Sequence, residues 1–205
     1  MPFRPAPANI KRCIFWLCLW PLFSLTWDIY FDQLGANPVE KIERFLGLWA
    51  LRFLCLTLAI TPLVILLKRP VLASYRRMLG LYSFFYASLH LLSYVWIDYM
   101  FDWADIWHDL SKHRYVYVGF SAWLLLVPLA LTSNQRMMAK LKQHWKTLHK
   151  MVYLIAGLAV LHFIWLVKKD ISEPLMYGGI VLLLLSLRLP WLKARLIRLK
   201  AKREH

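Results

Sequence analysis

Three histidines stand where this sequence can do chemistry. His90 lies inside the apolar run Leu79–Ile97, His162 lies inside the run His149–Val167, and His149 opens that second run at its basic end. An imidazole in hydrocarbon costs free energy unless its lone pair and its N–H both find partners. Two such rings on different spans, at one depth, point to a shared partner, and the reading that satisfies both is a transmembrane heme site with an imidazole on each side of the iron. A six-coordinate, bis-histidine iron suits electron transfer, because it leaves no open position for a substrate.

Depth tests the pairing. With a span entering at Leu79, His90 lies roughly 16 Å along the helix axis, in the outer half, and His162 lies roughly 9 Å from the outer edge of its own span. The two rings therefore share a layer. His149 precedes His162 by 13 residues, which puts it about 20 Å lower and about 140° around an ideal helix. It reaches the inner interface, where a second heme would complete a path across the bilayer. The competing readings are structural. His90 and His162 could each bond a neighbouring carbonyl or a hydroxyl such as that of Tyr86 or Tyr94, and His149 could be an ordinary interfacial histidine. His108, His113 and His144 fall in surface segments and His205 is terminal, so all four are expected to be solvated.

The elements that must position these rings follow from composition. The chain has 205 residues, 60% hydrophobic and 18% charged, with a mean hydropathy of +0.48, which excludes an ordinary soluble domain. We expect an all-α integral membrane protein, a six-helix transmembrane bundle forming one domain over 1–205, with spans at about 13–29, 47–67, 79–97, 115–131, 149–167 and 174–189. A cleaved leader does not fit the first run, which ends in TWDIYFDQLG without a small-residue cleavage site. Pro62 removes an N–H inside the second span and frees the carbonyl of Leu58. Arg52 can snorkel or pair, and Pro174 suits the first turn of the sixth helix. Cys13, Cys18 and Cys55 sit in apolar segments, with no CxxC or CxxCH, so neither a thiolate metal site nor covalent heme attachment is written here. Phosphate loops, GxSxG and HExxH are absent, and nearly carboxylate-free spans leave little material for a proton-driven carrier.

The formal charge of +15 lies in short clusters between apolar runs, which fits orientation and anionic lipid rather than nucleic acid. Arg4, Lys11 and Arg12, the group Lys68, Arg69, Arg76 and Arg77, the group Arg136, Lys140, Lys142, Lys146 and Lys150, and the basic tail all fall on one side. Both termini are therefore expected in the cytoplasm. On the other side, Asp98–Arg114 carries Met100, Trp103, Trp107 and Leu110 at helical spacing beside a stripe of Asp98, Asp102, Asp105 and Asp109. This reads as an amphipathic periplasmic surface helix with its tryptophans at headgroup level.

Five stretches carry a resemblance: LGANPVEKIERFLG, ITPL at Ile60–Leu63, RRMLGLYSFFYASLHLLSY, LALTSN and HWKTLHKMVYLIAGLAVLHFIW. Together they resemble the MsrQ family, the heme-binding membrane subunits of bacterial protein-methionine-sulfoxide reductase systems, within the ferric-reductase-like transmembrane group that includes NADPH oxidase cores. The resemblance covers nearly the whole chain. It implies heme b, one or two per chain, an inner-membrane location, and electrons drawn from the quinone pool for a periplasmic molybdopterin partner, MsrP, that repairs oxidised methionines. FMN and a cytosolic flavin reductase donor are also associated with the group. His90, His149 and His162 match the family's heme-ligand positions. The oxidase relatives carry a further histidine near the start of the third span. Here that neighbourhood reads Tyr75-Arg76-Arg77, which leaves the second ligand of an inner heme undetermined and makes Arg76 and Arg77 candidates for neutralising heme propionates.

Overall fold

In the computed structural model, residues 8–188 are described, and every regular element among them is helical. The helices are α1 (Ala8–Tyr30), α2 (Pro38–Leu67), α3 (Arg76–Ser93), α4 (Trp103–Lys112), α5 (Arg114–Leu131), α6 (Gln135–His149), α7 (Val152–Leu166) and α8 (Ser172–Ser186). A 3₁₀ turn, Pro70–Tyr75, leads into α3, and a π-helical turn, Tyr94–Asp98, leads out of it.

α2 is the axis of the bundle because it is apolar on two sides. Leu51, Leu54, Cys55 and Leu58 recur at helical spacing and pack with Ile155 and Ala156 of α7, Leu126 and Leu129 of α5, and Tyr177 and Val181 of α8. Leu46, Phe53 and Ile60, seven residues apart, face the other way, into a second core with Tyr82 and Tyr86 of α3 and Cys18 and Leu25 of α1. The start of α2 is fixed by Asn37, whose side chain accepts from Glu40 N and donates to the Glu40 carboxylate at 2.9 Å, with Pro38 in the first turn. Its end is fixed by Lys68 in the left-handed region (φ 54°), followed by Pro70. The carbonyl of Leu58, freed by Pro62, is taken up by Arg188 Nη2 at 2.6 Å. Arg52 does pair: its Nε donates to the Tyr177 hydroxyl at 2.9 Å while its guanidinium covers the Trp49 ring.

α1 is more loosely held. Its ties to α3 are Tyr82 donating to the Phe15 carbonyl and Tyr86 donating to the Cys18 carbonyl, while Trp16, Leu17, Trp20 and Trp27 face outward. Outward apolar rings of this kind suit lipid.

Five helical stretches are long and apolar enough to cross a membrane: Ala8–Tyr30, Pro38–Leu67, Pro70–Asp98, Arg114–Leu131 and Gln135–Leu166. The chain is an all-α, multi-pass membrane protein. The expected sixth span corresponds to the shorter apolar helix α8, with Pro174 fully buried in its first turn; residue 189, the expected end of that span, lies outside the described residues, as do His205 and the basic tail. The structure also moves one expected boundary. His149 closes the amphipathic helix α6, and a turn at Lys150 and Met151 separates it from α7. The angular offset expected for one continuous helix therefore does not apply to His149 and His162.

The surface helix is shorter than the expected Asp98–Arg114. Residues 99–102 form a turn, with Met100 and Phe101 in the left-handed region (φ 46° and 63°). Asp102 then caps α4, accepting from Ala104 N and Asp105 N. Met100, Trp103 and Trp107 point out, and Asp109 points in.

Candidate heme site

α3 and α7 bring His90 and His162 together, the edge of one ring towards the other. Their ring centres are 6.2 Å apart, with the planes at 68°. Two imidazoles that each bind one metal at about 2 Å need ring centres about 6 Å apart. The rings therefore stand at the spacing of a shared iron, in one layer, as the depth argument requires.

The hydrogen bonds sharpen this. His162 Nδ1 lies 2.7 Å from the Tyr115 carbonyl. A carbonyl can only accept, so Nδ1 carries the proton and Nε2 carries the lone pair. A backbone carbonyl holding the far N–H of an imidazole is the usual way a ligating histidine is fixed in tautomer and orientation. His90 is different: among the described residues its buried Nδ1 meets no partner in good hydrogen-bond geometry, although the Glu43 backbone lies near the ring. Of the structural alternatives, the carbonyl bond is the one His162 makes, through Nδ1 to Tyr115, while the two tyrosine hydroxyls send their protons elsewhere. The Tyr86 hydroxyl donates to Cys18 O at 2.9 Å and the Tyr94 hydroxyl to Asp109 at 2.7 Å.

Both rings rest on glycines. A methyl group built on Gly47 of α2 would lie 3.4 Å from His90 Cε1, and one built on Gly119 of α5 would lie 2.6 Å from His162 Nδ1. A buried imidazole nitrogen without a partner among the described residues, a fixed tautomer and two side-chain-free seats fit a metal-centred planar group. One turn before Gly47, Glu43 adds a buried carboxyl oxygen without a partner.

The inner layer is built otherwise. His149 Nε2 lies 3.1 Å from Thr132 Oγ1, and the Trp145 indole stacks on the ring at 4.0 Å. The single hydroxyl proton of Thr132 goes to the Pro128 carbonyl at 2.6 Å, so Thr132 accepts from His149 Nε2–H. No second histidine faces His149 among the described residues. Arg76 donates to Thr61 Oγ1 at 3.3 Å, whereas Arg77 is exposed and makes no hydrogen bond or ion pair among them. Arg188, on the turn after α8, joins this layer. It donates to the Tyr153 hydroxyl at 3.0 Å and lies over that ring, and its buried Nε has no partner among the described residues. Neither Arg76 nor Arg188 meets a carboxylate among the described residues.

Outside the pair, the surface helix is anchored through Asp109. It accepts from Tyr94 and pairs with His113, so that histidine is not simply solvated. Burial alone would raise the Asp109 carboxyl, but hydrogen bonds from Tyr94, His113 and Tyr99 outweigh it and hold the group below the usual carboxylate range. Burial and the Asp109 charge push the Tyr99 hydroxyl up to about 12. Beside this network opens a cleft of about 560 Å³ lined by Asp98, Tyr99, Met100, Phe101, Asp102 and Asp105.

Sequence reasoning missed Gly47, Gly119, Tyr115 and Arg188. The two glycines lie in apolar runs, LGLWAL and VYVGFSAW, where a residue without a side chain signals a close approach. Arg188 interrupts the apolar run LLLLSLRLPWL and was open to the same question as any intramembrane cation.

Comparison with known proteins gives the family. Residues 46–160 match the family described as ferric reductase like transmembrane component. A Xanthomonas campestris pv. campestris protein named protein-methionine-sulfoxide reductase heme-binding subunit MsrQ is 53% identical over 184 residues, covering 87% of this chain and 84% of its own. Proteins of the same name from Xanthomonas oryzae pv. oryzae and Polaromonas naphthalenivorans are 52% and 50% identical, covering 88% and 90% of this chain and 83% and 87% of theirs. No solved structure matches. With its matched core spanning α2 to α7 and relatives at half identity over most of its length, the chain belongs to the MsrQ family of ferric-reductase-like membrane proteins.

Proposed function

We propose that the chain is a membrane cytochrome b, holding heme b between His90 and His162 and passing electrons from the cytoplasmic side to a methionine sulfoxide reductase on the periplasmic side. The observation that carries this reading is the imidazole pair, 6.2 Å apart, with the His162 tautomer fixed by Tyr115. When bound, the heme supplies a one-electron carrier. The protein's part is to hold that group still. His90 and His162 would supply the ligating nitrogens, Tyr115 orients His162, and Gly119 leaves room for the His162 ring.

His149 is the candidate ligand for a second heme at the inner layer. That role requires Nε2 to part from Thr132. Arg76 and Arg188, two cations without carboxylate partners among the described residues, suit the anionic groups of a cofactor or a quinol's surroundings there. The names of the relatives support heme and a methionine sulfoxide reductase partner. The donor, whether quinol or a flavin reductase, and any FMN rest on family resemblance alone. At the outer face, the acidic cleft beside α4 suits docking of the reductase. Reversing the charge of Asp102 and Asp105 is expected to slow electron delivery to it while leaving the visible spectrum unchanged.

The test is a dithionite-reduced minus oxidised spectrum of the purified protein. Sharp b-type bands, lost in His90→Ala and His162→Ala, are the expected result. A flat wild-type spectrum would leave a membrane scaffold or transporter whose histidines bond across helices. A ferric reductase with another acceptor shares the spectrum, and is separated by assaying methionine sulfoxide repair after the partner is deleted.

A further inference from the structure

Gly119 lies where the chain's own geometry forbids a side chain. The Cβ of a helical residue tilts toward the helix N-terminus, over the preceding turn. For residue 119 the preceding turn ends at Tyr115, whose carbonyl accepts from His162 Nδ1. The imidazole therefore occupies the space that a side chain at 119 would fill. A methyl there would lie 2.6 Å from Nδ1, 2.7 Å from Cε1 and 3.1 Å from Cγ. Three ring atoms are struck at once, so the methyl meets the ring itself and not the loose end of a flexible chain. The ring cannot yield without giving up the Tyr115 carbonyl.

The other glycines show that this is particular to one position. On Gly47 the added methyl would meet His90 at 3.4 to 3.5 Å, an ordinary contact, and on Gly157 of α7 it would meet nothing within 4 Å. Alanine is otherwise the better helix residue by about 1 kcal/mol, so local helix stability does not account for glycine at 119.

We propose that Gly119 is a positioning residue for the outer heme ligand: the missing side chain lets His162 reach the Tyr115 carbonyl and so sets the plane in which Nε2 is presented to His90. This rests on the assignment of His90 and His162 as axial ligands. Gly119 touches neither iron nor substrate, and acts through the orientation of His162. The angle between axial imidazole planes governs their overlap with the iron d orbitals, so the ferric low-spin EPR signal reports it directly.

The experiment compares purified wild type, Gly119→Ala, Gly47→Ala, Gly157→Ala and His162→Ala by heme-to-protein ratio and low-temperature EPR. Gly119→Ala is expected to lose the low-spin signal of the pair, or shift it, nearly as far as His162→Ala removes it. Gly47→Ala should shift it slightly and Gly157→Ala not at all. An unchanged signal and heme ratio in Gly119→Ala, with the signal gone in His162→Ala, overturns the proposal and leaves the ligand assignment intact. Persistence of the signal in His162→Ala itself overturns the assignment, and the proposal with it. If Gly119→Ala does not fold, the double variant Gly119→Ala/His162→Ala decides. Recovery of a monodisperse, helical protein supports a clash with the ring, and failure of the double variant overturns it.

Discussion

The outer and inner histidine layers use the same residue type under opposite conditions. In the outer layer two imidazoles on separate helices stand 6.2 Å apart, one tautomer is fixed by a backbone carbonyl, and one buried nitrogen has no partner among the described residues. In the inner layer a single imidazole ends a basic helix, its Nε2–H is accepted by Thr132, and an indole covers its face. The outer layer suits the one ligand we propose that the two helices share. In the inner layer His149 closes a hydrogen-bonded helix end, and the nearby Arg76 and Arg188 meet no carboxylate among the described residues. A histidine in an apolar run is thus not evidence of ligation by itself; what its two nitrogens are doing decides.

The largest effect expected from breaking this contrast comes from the outer pair. His162→Ala should remove one full equivalent of heme, counted by pyridine hemochrome against protein mass, and His149→Ala should leave that equivalent in place. Equal losses from both variants would erase the distinction.

Changes in the inner layer should act on stability. Thr132→Val strands the His149 N–H, and Arg188→Met strands the Leu58 carbonyl freed by Pro62. An unsatisfied buried polar group costs about 1–3 kcal/mol, so each variant should melt several degrees earlier in detergent with the outer heme spectrum unchanged. A spectral change without a stability change would reverse the roles given to the two layers.

The smallest effect concerns the cap over the outer layer. Asp109 has its folded-state pKa held below the ordinary value. Its contribution is therefore full above the ordinary carboxylate pKa of about 4 and is lost as pH falls through the lowered folded value. Tyr99 works in the opposite sense. Its folded pKa is raised, so its contribution is full below the ordinary value and is lost as pH rises toward about 12. Fluorescence of Trp103 and Trp107 followed against pH should stay flat between these limits and change in acid, and Asp109→Asn should already show the acid-form signal near neutrality.

Much of this was legible in the sequence because hydrocarbon makes polar residues conspicuous. His90 and His162 stood out against apolar neighbours, their common depth followed from helix rise, and Pro62 announced a free carbonyl on Leu58. The break at Lys150–Met151 was not legible, because the residues from Leu148 to Tyr153 carry no proline or glycine and continue a helical pattern. The partners were harder still. That Arg188 serves Leu58 depends on contacts between segments far apart in the chain, and that Asp109 turns inward to Tyr94 and His113 while the tryptophans turn out depends on the π-helical turn that brings Tyr94 to α4. Gly119 shows the same limit. A glycine in an apolar run marks a place without a side chain, but only the fold says which ring lies there.

The most direct test of the central claim, that His90 and His162 grip one iron, is the low-temperature EPR spectrum of the oxidised protein, wild type against His149→Ala. A low-spin ferric signal that survives intact in His149→Ala and vanishes in both His90→Ala and His162→Ala is the predicted result. A signal that vanishes with His149 and persists without either outer histidine would contradict it.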